Sequence, residues 1–75
     1  MATYAHLLEV VGRNIQAVRT AQGMKQTTLG AAIGRSQTTI SRIEHGRYAL
    51  SLRRVYLLAR ALGVPVARLF VEPPG

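Results

Sequence analysis

None of the 75 residues is a cysteine, which excludes a disulfide framework, a thiolate zinc site and a thiol nucleophile. Aspartate is missing too. With the acids limited to Glu9, Glu44 and Glu72, paired carboxylates for general acid/base work or for holding Mg²⁺ are barely available. His6 and His45, the only imidazoles, stand far apart in sequence with no cysteine or aspartate beside them, so no metal-ligand spacing exists. Ser36, Ser41 and Ser51 lack a His–carboxylate constellation, because His45 and Glu44 are adjacent helix positions that point in different directions. The chain is expected to be no enzyme and to need no metal and no cofactor. No apolar run approaches the roughly 18 residues of a membrane span, and no Lys or Arg precedes Leu7 as a targeting segment would require. It reads as a soluble, cytoplasmic protein without a membrane partner.

What is present is enough for one small all-α domain spanning residues 1–75. Hydrophobic residues make up 48% of the chain and charged ones 17%, so there is material for a core and too little charge for a disordered tail. Ten Lys and Arg face three acids, for a formal charge of +7 and a pI near 11.5, the balance of a protein that meets polyanions. Only Lys25 is a lysine. Arginine suits bidentate contact to phosphate or guanine, although a GC-rich coding sequence also produces an arginine bias.

Glycine and proline divide the chain into five helices. The first is expected from about Thr3 to Gln22, where Leu8, Val11, Ile15 and Val18 recur at three- and four-residue steps. A short second helix, Gln26 to Ile33, carries Leu29, Ala32 and Ile33 on one side, and a third, about Gln37 to His45, carries Ile40 and Ile43. Only Gly34-Arg35-Ser36 lies between them, with Gly34 suited to the left-handed end of one helix and Ser36 to the N-cap of the next. Ser51 is a fitting N-cap for a fourth helix, Leu52 to Leu62, with Val55, Leu58, Ala59 and Leu62 inward. Pro65 suits the first turn of a short fifth helix ending near Phe70.

Helix, three-residue turn, helix is the arrangement in which the first helix crosses a phosphate backbone and the second enters the major groove. The run from Gln26 through Leu29-Gly30, Ile33-Gly34 and Ile40 to Ile43-Glu44-His45-Gly46 resembles the helix-turn-helix of the lambda repressor and Cro-like family, also called the xenobiotic response element family. The resemblance continues through Arg19, Gly23-Met24-Lys25, Arg47, Leu50-Ser51-Leu52 and Leu58 to Val64, covering roughly Val11 to Leu69. It implies a five-helix lambda-repressor-like fold. Three positions depart from the family pattern: Lys25 where a small capping residue is usual, Gly30 in place of Ala, and Arg35 where a Val-like residue packs. Gly30 is expected to cost about 1 kcal/mol relative to Ala in a helix, and Arg35 to bend outward as a further phosphate contact.

The side of the third helix opposite Ile40 and Ile43 displays Thr38, Ser41, Arg42 and His45, with Gln37 at its edge. An ordinary solvated face mixes Glu and Lys; this one offers an amide, hydroxyls and a guanidinium, which match base edges. The resemblance assigns base contacts to Gln37, Thr38, Ser41 and Arg42 and phosphate contacts to Gln26 and Arg47. It also implies a partly buried ion pair between Arg19 and Glu44. Tyr56, Phe70 and Val71, outward on the fourth helix and the tail, form the expected contact between two copies, with Leu69 folding back over the core. These features describe a sequence-specific regulator of transcription, acting as a homodimer on a two-fold related stretch of double-stranded DNA. Regulation through its own concentration, as a repressor or as an activator, is what the small Cro-like and restriction-modification controller members of the family imply. The reading from another class is an antitoxin-like module that neutralises a partner protein through the same apolar surface. RNA binding is disfavoured, since three Tyr and one Phe offer no evident stacking platform.

Overall fold

The computed structural model describes residues 3–72. Four α-helices, α1 (Tyr4–Ala21), α2 (Gln26–Ile33), α3 (Gln37–Glu44) and α4 (Leu52–Leu62), are followed by a 3-10 helix, Val66–Phe70. Capping chemistry sets the boundaries. The hydroxyls of Thr3, Ser36 and Ser51 accept from the N–H groups of His6, Thr39 and Arg54 at 3.0–3.2 Å. Thr3, Gln22 and His45, expected inside their helices, are therefore the flanking caps. Lys25 precedes α2 in an extended conformation without a side-chain cap bond, which leaves the first-turn N–H groups of that helix without this partner.

The last segment is 3-10 rather than α-helical. The N–H of Arg68 bonds back three residues to Pro65, and the carbonyls of Leu69 and Val71 are taken by the Asn14 side chain at 2.8 and 2.7 Å. With five residues and its last carbonyls committed outward, the segment cannot extend an i→i+4 ladder. Its purpose in the packing is Leu69, fully buried over the core.

That core is built from Val11, Ile15 and Val18 of α1, Leu29, Ile40, Ile43, all four expected residues of α4, and Leu69. Leu8 is only half-buried, whereas Val10, off the expected stripe, is buried. On α2 the inward face is rotated towards Gly30, so Ala32 falls in solvent. Asn14, buried like Arg19 and Glu44, stands three after Val11 and four before Val18, on the apolar stripe itself. By donating both bonds to the tail it satisfies itself and fastens residues 69–71 to α1.

Two glycines permit close backbone approach. A Cβ on Gly12 would run into the carbonyl oxygen of Ile43 and lie 2.8 Å from that of Glu44, so α1 touches the end of α3 with its backbone. A Cβ on Gly30 would lie 2.5 Å from the Arg35 carbonyl oxygen. The penalty expected of Gly30 in a helix is thus offset by the tight turn it allows, in which Gly34 takes φ 70° and Arg35 N–H bonds the Gly30 carbonyl at 2.8 Å. Gly12→Ala is expected to lower stability by about 1–3 kcal/mol through overpacking. Gly30→Ala is expected to miss the gain of about 1 kcal/mol that helix propensity promises. Urea denaturation of the two variants measures both effects.

Candidate nucleic-acid interface

The outward side of α3 begins where Ser36 caps the helix and ends where Arg47 N–H bonds the Arg42 carbonyl at 2.9 Å. Ile40 and Ile43 are fully withdrawn into the core, which fixes the rotation of the helix about its axis. Gln37, Thr38 and Arg42 are exposed and Ser41 is half-buried. Together with Gln26 from the start of α2 they line one open cleft. No carboxylate and no apolar side chain lines it. His45, at the far end, donates its Nδ1–H to the Ser41 carbonyl at 2.7 Å and so closes the helix locally.

Behind this face is the ion pair. Arg19 Nε donates to Glu44 Oε2 at 2.6 Å and Arg19 Nη2 donates to Oε1 at 3.0 Å, while Nη1 donates to the Met24 carbonyl at 2.7 Å. The Glu44 side chain has no solvent exposure. Its hydrogen bond to the guanidinium raises Arg19 above the ordinary arginine value against the opposing effect of burial, so the cation persists. Glu44 Oε1 also accepts from Gln26 Nε2 at 3.0 Å, and Gln26 Oε1 accepts from Gln37 Nε2 at 3.4 Å. Neither glutamine contact is legible from sequence spacing, since both span separate helices.

Not every expected contact residue joins the cleft. Arg35 lines a separate groove with Arg53 and Arg54, between the α2–α3 turn and the start of α4. Arg54 is held in place: its Nη1 donates to the Tyr48 hydroxyl at 3.2 Å, and its guanidinium carbon lies 5.7 Å from the ring centroid. Arg47 is exposed just beyond α3. Tyr56, Phe70 and Val71 are exposed, but Phe70 and Val71 line different clefts. Phe70 borders an apolar groove with Tyr4, Leu7 and Leu52, side chains that the sequence reading did not single out. Among the described residues no group of His, Asp and Glu forms a metal cluster, and no helix is long and apolar enough to cross a membrane.

A short helix, a turn closed by a left-handed glycine, and a second short helix with an amide, hydroxyls and a guanidinium outward define a helix-turn-helix domain. The chain belongs to the helix-turn-helix family, whose model matches residues 15–69. It is 38% identical over 70 residues to the uncharacterized transcriptional regulator in the ATPase CF(0) region of Rhodospirillum rubrum, covering 93% of this chain and 65% of that one. To an uncharacterized HTH-type transcriptional regulator of Sinorhizobium medicae it is 34% identical over 65 residues, covering 87% of this chain and 47% of the other. The chain thus spans about half to two thirds of the length of these relatives. Among solved structures, the restriction-modification controller protein C.AhdI from Aeromonas hydrophila superposes with a TM-score of 0.79 at 32% identity, over 84% of this chain and 96% of that one. The hypothetical transcription factor NHTF from Neisseria gives 0.84 at 27% identity, over 97% and 84%.

Removing either Arg19 or Glu44 alone is expected to destabilise the domain by about 3–5 kcal/mol, because the remaining charge stays buried without its partner. Replacing both by apolar residues of similar volume is expected to cost less than the two single losses combined. A double-mutant cycle by thermal or urea unfolding measures the difference, and small additive effects would show two independent charges.

Proposed function

We propose that this protein is a sequence-specific double-stranded DNA-binding regulator of transcription that acts as a homodimer. The observation that carries the reading is the open cleft lined by Gln37, Thr38, Ser41, Arg42 and Gln26, with donors and acceptors outward and neither a carboxylate nor an apolar side chain. Such a surface complements base edges in the major groove, where Arg pairs with guanine, amides with adenine, and hydroxyls with either. The names of the relatives, as transcriptional regulators, and of the controller-protein neighbour support the same role.

Phosphate contacts come from the flanks of this cleft. Arg47 lies just past α3, and Arg35 lies two residues before Gln37. The first-turn N–H groups around Gln26 present the positive end of the α2 dipole. The charge distribution favours the arrangement. Among the described residues each glutamate lies against a basic side chain of α1: Glu9 against Arg13 at 3.6 Å, Glu44 against Arg19, and Glu72 against the imidazole of His6 at 3.2 Å. The arginines of α3 and the following segments keep their field for an outside polyanion.

The second copy meets Tyr56 and Phe70, with Leu52 one turn before Tyr56 and Val71 at the margin. Leu52 is 79% exposed and Tyr56 52%, large apolar surfaces for a small domain. A two-fold contact here is read in preference to docking of a neutralised protein partner. It would set two copies of α3 against half-sites one helical turn, about 34 Å, apart.

Two measurements test this reading. Affinity for duplex DNA is expected to fall by roughly 10³ to 10⁵ between about 50 and about 200 mM salt for a dimer neutralising about 6 to 10 phosphates. Arg42→Ala should cost about 1–3 kcal/mol and relax base preference at one position per half-site, whereas Arg47→Ala should weaken all sequences alike and lower the salt slope by about one per site. Equal losses on selected and random duplexes would remove α3 as the reading element. Sedimentation of the wild type and of a Tyr56→Ala, Phe70→Ala variant checks the dimer. A wild type that stays monomeric on DNA, or a variant that dimerises unchanged, would remove the two-fold contact and leave the reading face intact.

A further inference from the structure

Three guanidinium groups meet in the groove between the α2–α3 turn and the start of α4, where Arg35, Arg53 and Arg54 line the walls with Ser51. Among the described residues none of the three is in an ion pair, and no carboxylate lines the groove. Like charges gathered at one place repel, so the cluster is unfavourable until an anion joins it. Arg54 is already aimed: it is half-buried, and the Tyr48 hydroxyl holds its Nη1 at 3.2 Å. Ser51 Oγ accepts the Arg54 backbone N–H at 3.1 Å, which leaves its own O–H free to donate. The polar side chains are donors that suit phosphoryl oxygens. Half-buried Ile33 and Leu57 add an apolar wall. The volume of the groove, about 320 Å³, lies within the range of about 300–1,000 Å³ of small-ligand sites.

We infer that this groove binds the terminal diphosphate of a small ligand, of the nucleoside diphosphate kind, at a site that shares no residue with the cleft that reads DNA. Charge selects the group. A backbone phosphodiester brings about one negative charge and a terminal phosphate about two with three acceptor oxygens, whereas a terminal diphosphate brings about three, one for each guanidinium. Each arginine can give such a group two parallel N–H bonds, and a diphosphate has oxygens enough to receive the forks together with the Ser51 hydroxyl. A duplex phosphate carries the same chemistry at lower charge and engages only part of the set. Ile33 and Leu57 leave an apolar wall for the organic part of the ligand.

The test is calorimetric titration of the full chain with inorganic pyrophosphate, and separately with orthophosphate, at one ionic strength held by KCl. Wild type is expected to bind one pyrophosphate per chain and to bind orthophosphate at least about tenfold more weakly, the loss of one charge-assisted hydrogen bond or more. Arg53→Gln and Arg54→Gln should each weaken pyrophosphate by about tenfold or more. Tyr48→Phe keeps the ring but removes the hydroxyl that aims Arg54, and should weaken it by about two- to tenfold. Arg68→Gln removes the same charge from the 3-10 helix and should leave the affinity unchanged. Thermal melts of each variant confirm that it is folded. If pyrophosphate does not saturate, if orthophosphate binds equally well, or if Arg68→Gln weakens binding as much as Arg53→Gln, only the general positive field is acting and the inference fails. If pyrophosphate does not bind while Arg53→Gln and Arg54→Gln each lower the salt slope of duplex binding by about 0.9 per site, the groove serves the DNA backbone alone. The inference then fails and α3 remains the reader.

Discussion

A guanidinium and a carboxylate shut away from water hold three parts of this small domain in one register. Arg19 stands near the end of α1, Glu44 near the end of α3, and the Met24 carbonyl on the path into α2, and one planar fork meets both groups at 2.6–3.0 Å. Burying such a pair costs several kcal/mol of desolvation per ion, and an apolar substitute could match or exceed its contribution to stability. What an apolar cluster lacks is direction. The fork fixes where α3 ends relative to α1, and Gly12 then lets the two backbones meet at that point. Rotation and translation of α3 are both set, which is what a helix presenting four or five side chains to a rigid groove requires.

Segregation of charge follows from the same helix. The acids are few, and each lies against Arg13, Arg19 or the His6 imidazole, so both arginines of α1 are paired. Among the described residues, Lys25, Arg35, Arg42, Arg47, Arg53, Arg54, Arg60 and Arg68 make no ion pair. Eight of the ten Lys and Arg thus stand unpaired from Lys25 onward. A uniform scatter of the same charges would attract a polyanion in any orientation; this distribution favours approach by one half of the surface.

The sequence revealed what local chemistry controls. Ser36, Ser51 and Gly34 act over three or four residues, so helix boundaries came within a residue or two, and the two isoleucines of α3 were enough to define its opposite side. Contacts between backbones carry no such mark. Gly12 and Gly30 look like weak helix formers until Ile43 and Arg35 are seen to occupy the space their side chains would need. Asn14 did leave a signal, a polar residue on an apolar stripe, but its partners are 55 and 57 positions away. Leu52 illustrates the reverse: its type suggests the core, yet the stripe Val55, Leu58, Ala59 and Leu62 leaves it outside. The alignment of Gln26 with Gln37 depends on the crossing of two helices and had no counterpart in spacing.

The meeting of His6 with Glu72 has a topological consequence. These residues are 66 positions apart, yet the imidazole Nε2 lies 3.2 Å from the carboxylate, so the path of the described chain nearly closes on itself. A short peptide bridging the chain beside these two residues would ask little of the folded state while removing many conformations from the unfolded one. By the chain-entropy argument used for disulfides, a closure of this size is worth on the order of 4 kcal/mol. The ring could then be reopened at the exposed Arg47 or Ala49, giving a permuted chain in which α4 precedes α1 and the helix-turn-helix comes last.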